Sequence, residues 1–193
     1  TYTLDFNTDQ VSSNAPLLDS VTLFGKPIPK SGRPDLFPGV VEIGNANPNV
    51  TTTLTDPAHL LGSELSEGST TAQFDFGFTD AGAREAKRPI IALMGECAKS
   101  NLLAPPNCPQ NASYNTSLVD GTATWTAPAN ADEVTVNALK ADGTFRVFGY
   151  VDYRLSARAQ DPVLNVDDMS SSALVAGFGN IASTPPTFTL QKG

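Results

Sequence analysis

Apolar and polar residues alternate along much of this chain, and a period of two residues predicts β-strands with two different faces. The segment with the most aromatic face is 71–78, where Phe74, Phe76 and Phe78 lie on one side. Other segments with this alternation, or with short β-branched runs, are 1–6, 21–24, 40–43, 50–54 and 187–190. We therefore expect many short strands, joined by stretches rich in turn-forming glycine and proline.

Three more strands are predicted after the cysteines, at 122–126, 133–139 and 144–157. The second of these places Val134, Val136 and Ala138 on its inner side. Between the second and the third lies Asp142-Gly143, which is a hairpin signal because both residues tolerate a positive φ.

The long strand at 144–157 has apolar residues on both faces. Val147 and Val151 point to one side, whereas Phe148 and Tyr150 point to the other. Such a strand is either central in a sandwich or covered by a partner. In the second case Phe148 and Tyr150 are interface aromatics, with Tyr150 as an anchor.

Helical signals are few. The segment 80–87 predicts about two helical turns, 89–94 is an apolar run typical of a buried strand, and 171–178 is open between a strand and a short helix. The fold predicted is therefore all-β, an antiparallel β-sandwich of immunoglobulin-like or jelly-roll-like type, with about ten strands and at most short helices. We expect one domain over 1–193, with 1–65 as an N-terminal extension packed on it.

Composition and charge limit the classes of partner that this chain can bind. Of 193 residues, 40% are hydrophobic, which suffices for a core, and the net charge is −8. A chain this acidic repels a phosphate backbone, so nucleic acid is excluded as a partner. No run of 18 apolar residues is present, so membrane insertion is not expected. The chain begins at Thr1 without a signal-like segment and is interpreted as a mature form.

Cys97 and Cys108 are the two cysteines, separated by ten residues in a Pro- and Asn-rich stretch. An even pair that closes a short loop predicts a disulfide, and hence an oxidising, extracellular or cell-surface location. Three sequons mark Asn49, Asn111 and Asn115 as candidate glycosylation sites. About two sequons are expected by chance in so Asn-, Ser- and Thr-rich a chain, so their number is not informative.

No catalytic constellation is readable. His59 is the one histidine, no Gly-x-Ser-x-Gly elbow accompanies it, and no phosphate-binding glycine loop is present. Asp75, Glu133 and Asp152 lie on predicted strands with apolar opposite faces. They are either a solvated face or a carboxylate pair of the kind that glycosidases use.

Calcium is the one metal that the sequence leaves open; otherwise no cofactor is predicted. Its candidate ligands cluster in one acidic stretch, at Asp161, Asn165, Asp167 and Asp168. A turn followed by a helix cap, with Asp168 before a helix over 169–173, accounts for the same residues.

Part of the chain resembles the end of a reeler-type extracellular domain. The resemblance runs through Cys108-Pro109, Asn111 and Tyr114-Asn115-Thr116, then Trp125-Thr126-Ala127-Pro128 and the alternation that follows. Upstream, Gly77-Phe78 and Ala83-Arg84 are similar to that family's strand and turn, and Trp-x-Ala-Pro strands occur in anchored bacterial surface domains. Tyr114 stands where the family usually has histidine, and the long N-terminal region is absent from it. The resemblance implies an immunoglobulin-like sandwich in a matrix, adhesion or surface-binding protein without catalysis.

These observations lead to one leading hypothesis and one alternative. The leading one is a non-enzymatic extracellular surface or matrix protein that acts through protein–protein contacts with other subunits, including homo-oligomers, as a subunit of a filament or layer built by strand pairing. The strand-like segments near both ends then pair either within the chain or with a neighbour. The alternative is a carbohydrate-binding module or carbohydrate-active enzyme that acts on surface glycans.

Overall fold

The computed structural model describes residues 2–5, 15–28, 35–36, 42–55, 70–71, 74–161 and 165–191. Over these residues the fold is all-β, as predicted, with thirteen strands and two helices. In chain order they are β1 (Tyr2–Asp5), α1 (Pro16–Asp19), β2 (Val21–Leu23), β3 (Lys26–Pro27), β4 (Asp35–Leu36), β5 (Ile43–Asn45), β6 (Val50–Leu54), β7 (Thr70–Thr71), β8 (Phe74–Phe78), α2 (Asp80–Cys97), β9 (Thr124–Thr126), β10 (Val134–Asn137), β11 (Thr144–Arg158), β12 (Asn165–Asn180) and β13 (Thr187–Leu190).

The chain divides into two compact units. The first comprises Thr1–Ala83, Ala138–Thr144 and Ile181–Ser183, and the second comprises Arg84–Asn137, Phe145–Asn180 and Thr184–Gly193. The expected organisation, one domain with an extension over 1–65, stays a prediction.

The first unit contains three small sheets, in the orders β4-β1-β7, β3-β2-β5 and β6-β8. All of their pairings are antiparallel except the one between β1 and β7. The pairing of β6 with β8 sets Val50 opposite Phe78 and Leu54 opposite Phe74. The predicted aromatic strand is therefore confirmed, and its partner is the Thr-rich run that precedes it.

The second unit is built on one curled sheet of order β10-β11-β12-β13, in which β9 also pairs with β11. The long strand β11 buries every other residue on one face, from Phe145 to Ala157. At its centre the ring of Tyr153 meets that of Trp125 edge-on, with the two ring centroids 5.9 Å apart. The Trp125 indole N–H donates to the carbonyl of Leu102 at 2.9 Å, which satisfies its polar atom inside the core.

Helix α2 corrects one prediction. The segment 89–94 is not a strand: it continues the helix that begins at Asp80, so that the helix runs for 18 residues rather than two turns. Its buried residues Ala86, Ile90, Met94 and Cys97 recur at spacings of four, four and three, which form one helical stripe. This stripe outweighs Pro89, which removes one hydrogen bond from the helix interior.

Two further details differ from expectation. The segment 171–178 belongs to β12, so a helix over 169–173 with Asp168 as its cap is wrong. Ala138 does not point inward: it follows β10 with φ of 51° and is exposed. The turn at Asp142-Gly143 is confirmed, since Gly143 has φ of 83° and its N–H donates to the carbonyl of Lys140 at 2.9 Å.

The strands nearest the two ends both pair within the chain, β1 with β4 and β7, and β13 with β12. Both segments thus pair within the chain, while strand pairing with a neighbouring subunit stays a prediction. The two-layer sandwich arrangement stays a prediction.

Candidate functional site

The exposed face of β11 and β12 carries four large apolar side chains. Both strands alternate strictly between buried and exposed positions over 145–155 and 171–175, and they are neighbours in one sheet. Their even-numbered residues therefore share the outer face. On that face Phe148 is 55% exposed, Tyr150 51%, Leu174 44% and Phe178 50%. We call these four residues the outer patch.

Glycine on the buried face determines which side chains of β12 point outward. A Cβ added at Gly179 would overlap the ring of Phe145, and one added at Gly177 would overlap the carbonyl oxygen of Thr189. These two positions therefore admit no side chain. Since shifting a strand by one residue exchanges its faces, Phe178 between them is held on the outer side.

The two aromatic residues of β11 contact each other. Phe148 and Tyr150 lie two residues apart on the same face, with ring centroids 6.4 Å apart and planes at 80°. The Thr135 hydroxyl donates to the Phe148 carbonyl at 2.8 Å, which ties the outer face of β10 to this position. The sequence left open whether this strand is central in a sandwich or covered by a partner. The exposed fractions show no second layer over these two rings among the described residues.

Opposite charges flank the aromatic pair along β11. The outward positions in order are Arg146, Phe148, Tyr150 and Asp152, and both charged residues are exposed. Neither makes an ion pair or side-chain hydrogen bond within the part of the chain that the structure describes. The outer face is therefore basic at one end of the aromatic pair and acidic at the other.

A shallow cavity of about 260 Å³ opens at the acidic end. Its lining residues are Pro128, Asn130, Ala131, Asp132, Glu133, Tyr150, Val151 and Asp152. Glu133 and Asp152, two of the carboxylates singled out in the sequence, are thus brought together, and Asp132 joins them. Asp75 lies in the first unit and is not part of this lining. Three carboxylates beside an aromatic ring suit a cationic group.

The predicted disulfide between Cys97 and Cys108 is confirmed, with Cα atoms 5.6 Å apart. It links the end of α2 to a loop that is also held by hydrogen bonds. The buried Gln110 side-chain amide donates to the Cys97 carbonyl at 2.9 Å, and the Leu103 N–H donates to the Asp120 carboxylate at 2.7 Å. Such a cross-link is typical of proteins from oxidising compartments.

Calcium binding at Asp161, Asn165, Asp167 and Asp168 stays a prediction. Asp168 pairs with Arg154 at 3.3 Å, and its N–H donates to the Ser156 hydroxyl at 3.2 Å. Among the described residues no three acidic, histidine or cysteine side chains come together in a way that holds a metal ion. Asp161 and Asp167 lie on either side of 162–164, which fall outside the described ranges.

The candidate glycosylation sites lie in turns and loops. Asn111 is exposed, and its side-chain oxygen accepts from the N–H and hydroxyl of Ser113 at 2.9 and 2.8 Å. Asn49 and Asn115 are half-buried. Glycosylation at these three positions stays a prediction. His59, the one histidine, falls outside the described residues.

Comparisons of the chain with protein-family models, with curated proteins and with solved structures found no match. The reeler-type resemblance therefore stays a prediction. Within the described ranges, neither helix combines the length and apolar character needed to cross a bilayer.

Proposed function

We propose that this protein is a non-enzymatic extracellular surface or matrix protein that acts through protein–protein contacts made by the outer patch. The observation that carries the proposal is the exposure of Phe148, Tyr150, Leu174 and Phe178 on one sheet face. Large apolar side chains gathered on an exposed face mark interaction sites in soluble proteins. The disulfide supports the extracellular part of the proposal.

The size of the patch sets the strength of contact that it can support. A fully exposed aromatic side chain offers about 200 Å², so four half-exposed residues offer about 400 Å². At about 25 cal/mol per Å², covering them contributes about 10 kcal/mol. Association itself costs an estimated 4–15 kcal/mol, which offsets most of this gain. The patch therefore supports a contact whose specificity depends on the charges beside it.

Photo-cross-linking tests the proposal directly. Tyr150 is replaced by a photoreactive phenylalanine analogue, and the protein is irradiated at the surface or in the medium of the cells that produce it. Tyr114 is the matched control, because it is 73% exposed and is not part of the outer patch. We expect protein adducts from position 150 and not from position 114. No adduct at 150, or equal adducts at both positions, would contradict the proposal.

Carbohydrate binding is the second candidate, favoured by the cavity beside Tyr150. An exposed ring stacks on a sugar, and carboxylates accept hydrogen bonds from its hydroxyls. Trp125 does not contribute to such a site because it is only 5% exposed. A glycan array separates the two functions: binding that Tyr150→Ala abolishes favours carbohydrate, whereas an array without signal removes it.

A further inference from the structure

We infer that the partner of the outer patch is a second copy of this chain, packed face to face with its β11 antiparallel to the first. This inference deepens the proposed function, since it names the occupant of the same surface. It rests on the order of the outward residues along β11. When a second β11 runs in the opposite direction over the first, each aromatic residue faces an aromatic residue and each charged residue faces one of opposite charge. Two-fold dimers require this property, because each contact from residue i to residue j is repeated from j to i.

The symmetry centre is Gly149. Phe148 and Tyr150 lie one residue on either side of it, and Arg146 and Asp152 lie three residues on either side. A two-fold axis across the strand at Gly149 therefore brings Phe148 opposite Tyr150 of the second copy, and Arg146 opposite Asp152 of the second copy. Each contact occurs twice, so the interface contains two aromatic pairs and two ion pairs. Parallel stacking would instead bring arginine onto arginine.

The acidic end has the features that an incoming arginine needs. The cavity of about 260 Å³ is lined by Asp132, Glu133, Asp152 and Tyr150, so a guanidinium entering it meets carboxylates and an exposed aromatic residue. Arginine binds carboxylates in a planar fork and also stacks on aromatic faces. Arg146 is exposed and makes no ion pair among the described residues, so it is available to the second copy.

The neighbouring strand extends the contact with further apolar surface. Leu174 and Phe178 of β12 are 44% and 50% exposed on the same face. With about 400 Å² of apolar side chain from each copy, the buried total lies below the standard interface of about 1,600 Å². Interfaces of that standard size already include micromolar ones, so we expect a dimerisation Kd weaker than about 1 μM.

A charge-exchange experiment tests the inference. Arg146→Glu and Asp152→Lys are made singly, and sedimentation is measured from about 10 μM to about 1 mM, a range chosen for this weak contact. Each variant faces two like-charge contacts when it pairs with itself, so its dimerisation weakens by at least roughly 30-fold. In an equimolar mixture the glutamate introduced at position 146 of one copy meets the lysine introduced at position 152 of the other, and the unchanged Asp152 meets the unchanged Arg146. The mixture is therefore expected to dimerise as the wild type does.

Arg158→Glu is the matched control. It makes the same charge change on the same strand and face, nine residues from Gly149, and should leave dimerisation unchanged. Circular dichroism of every variant verifies the fold, which exposed substitutions are expected to preserve.

The outcomes separate this inference from the proposed function. Dimerisation of the wild type that is lost in both variants and restored by mixing them supports the second copy. A wild type that stays monomeric to about 1 mM, or variants that dimerise normally, overturns the second copy. In that event a cross-link from position 150 to a different protein still supports the proposed function, whereas the absence of any cross-link there overturns both.

Discussion

Removing the Cys97–Cys108 disulfide should destabilise the second unit chiefly through its unfolded state. The cross-link joins residues 11 apart in sequence. In the native state the same loop is held independently by hydrogen bonds, among them that from Trp125 to the Leu102 carbonyl and that from the Ala112 N–H to the Leu103 carbonyl. The native loop should therefore stay in place in Cys97→Ala/Cys108→Ala, while the unfolded chain gains freedom.

The magnitude follows from the size of the loop. For a loop of about 12 residues the chain-entropy relation gives about 9.5 cal/mol/K, or about 2.8 kcal/mol at 25 °C. With a urea dependence of about 2 kcal/mol/M, the midpoint of unfolding should fall by about 1.4 M.

Urea unfolding followed by tryptophan fluorescence measures this loss, because Trp125 is the one tryptophan and is buried in the same unit. Wild-type protein under reducing conditions is the control. Its urea midpoint should fall by a similar amount, since the reduced wild type and the double variant both lack the cross-link. A near-ultraviolet circular dichroism spectrum that changes markedly before any urea is added would contradict this expectation. It would show that the disulfide maintains the native loop and does not act mainly on the unfolded chain.

Four further substitutions, the last two a matched pair, are tested by urea unfolding. Tyr153→Phe should raise the free energy of unfolding by up to about 1 kcal/mol, because the buried hydroxyl has no partner among the described residues. Burial also raises the pKa of Tyr153 above its ordinary 10.0. As pH rises above that value, the tyrosine ionises more readily in the unfolded state, so the wild type should lose stability and the variant should lose less. Equal losses in the two proteins would contradict this. Asp142→Ala should cost about 1 kcal/mol at pH 7, because the Asp142 carboxylate accepts from the side chain of Thr144. That bond lowers the pKa of Asp142 below 3.8. The stability that the Asp142 carboxylate contributes is therefore present above pH 3.8 and lost as pH falls through the lowered pKa. A variant whose stability falls with acid pH in the same way as the wild type would contradict this. Gly179→Ala should lower the free energy of unfolding by about 1–3 kcal/mol, because the added methyl group overlaps the buried ring of Phe145. Gly95→Ala, in open space on α2, should raise it by about 0.5–1 kcal/mol. Equal effects of the two substitutions would contradict the close packing at Gly179.

Alternation along the chain was sufficient to predict most strands of the second unit. The predicted segment 144–157 matches β11 to within one residue, and 187–190 matches β13. The prediction of a strand at 89–94 was wrong because a continuous apolar segment has no visible period of its own. Its helical period appears only when Ala86 and Cys97 are included with it, and Pro89 argues locally against a helix.

Two of the four residues of the outer patch could be recognised from the sequence. Phe148 and Tyr150 are recognisable because they are large apolar residues at positions that alternate with the apolar residues of the predicted inner face. Leu174 and Phe178 do not, since the segment 171–178 fits a helix as well as a strand. Their place on the same face depends on the pairing of β11 with β12, and single-sequence periodicity contains no information on pairing. Asp132 likewise joins Asp152 only through the fold.

Hydroxyl-radical footprinting of the dilute protein, with modified residues located by mass spectrometry, measures whether the outer patch is exposed in the monomer. We expect strong modification of Phe148, Tyr150 and Phe178, comparable after correction for side-chain reactivity to that of Tyr114, together with protection of Phe145 and Tyr153. If Phe148 and Tyr150 were protected as fully as Phe145 in the monomer, a layer of the chain itself would cover this face. The outer patch would then be core, and both the proposed contact and the dimer built on it would be wrong.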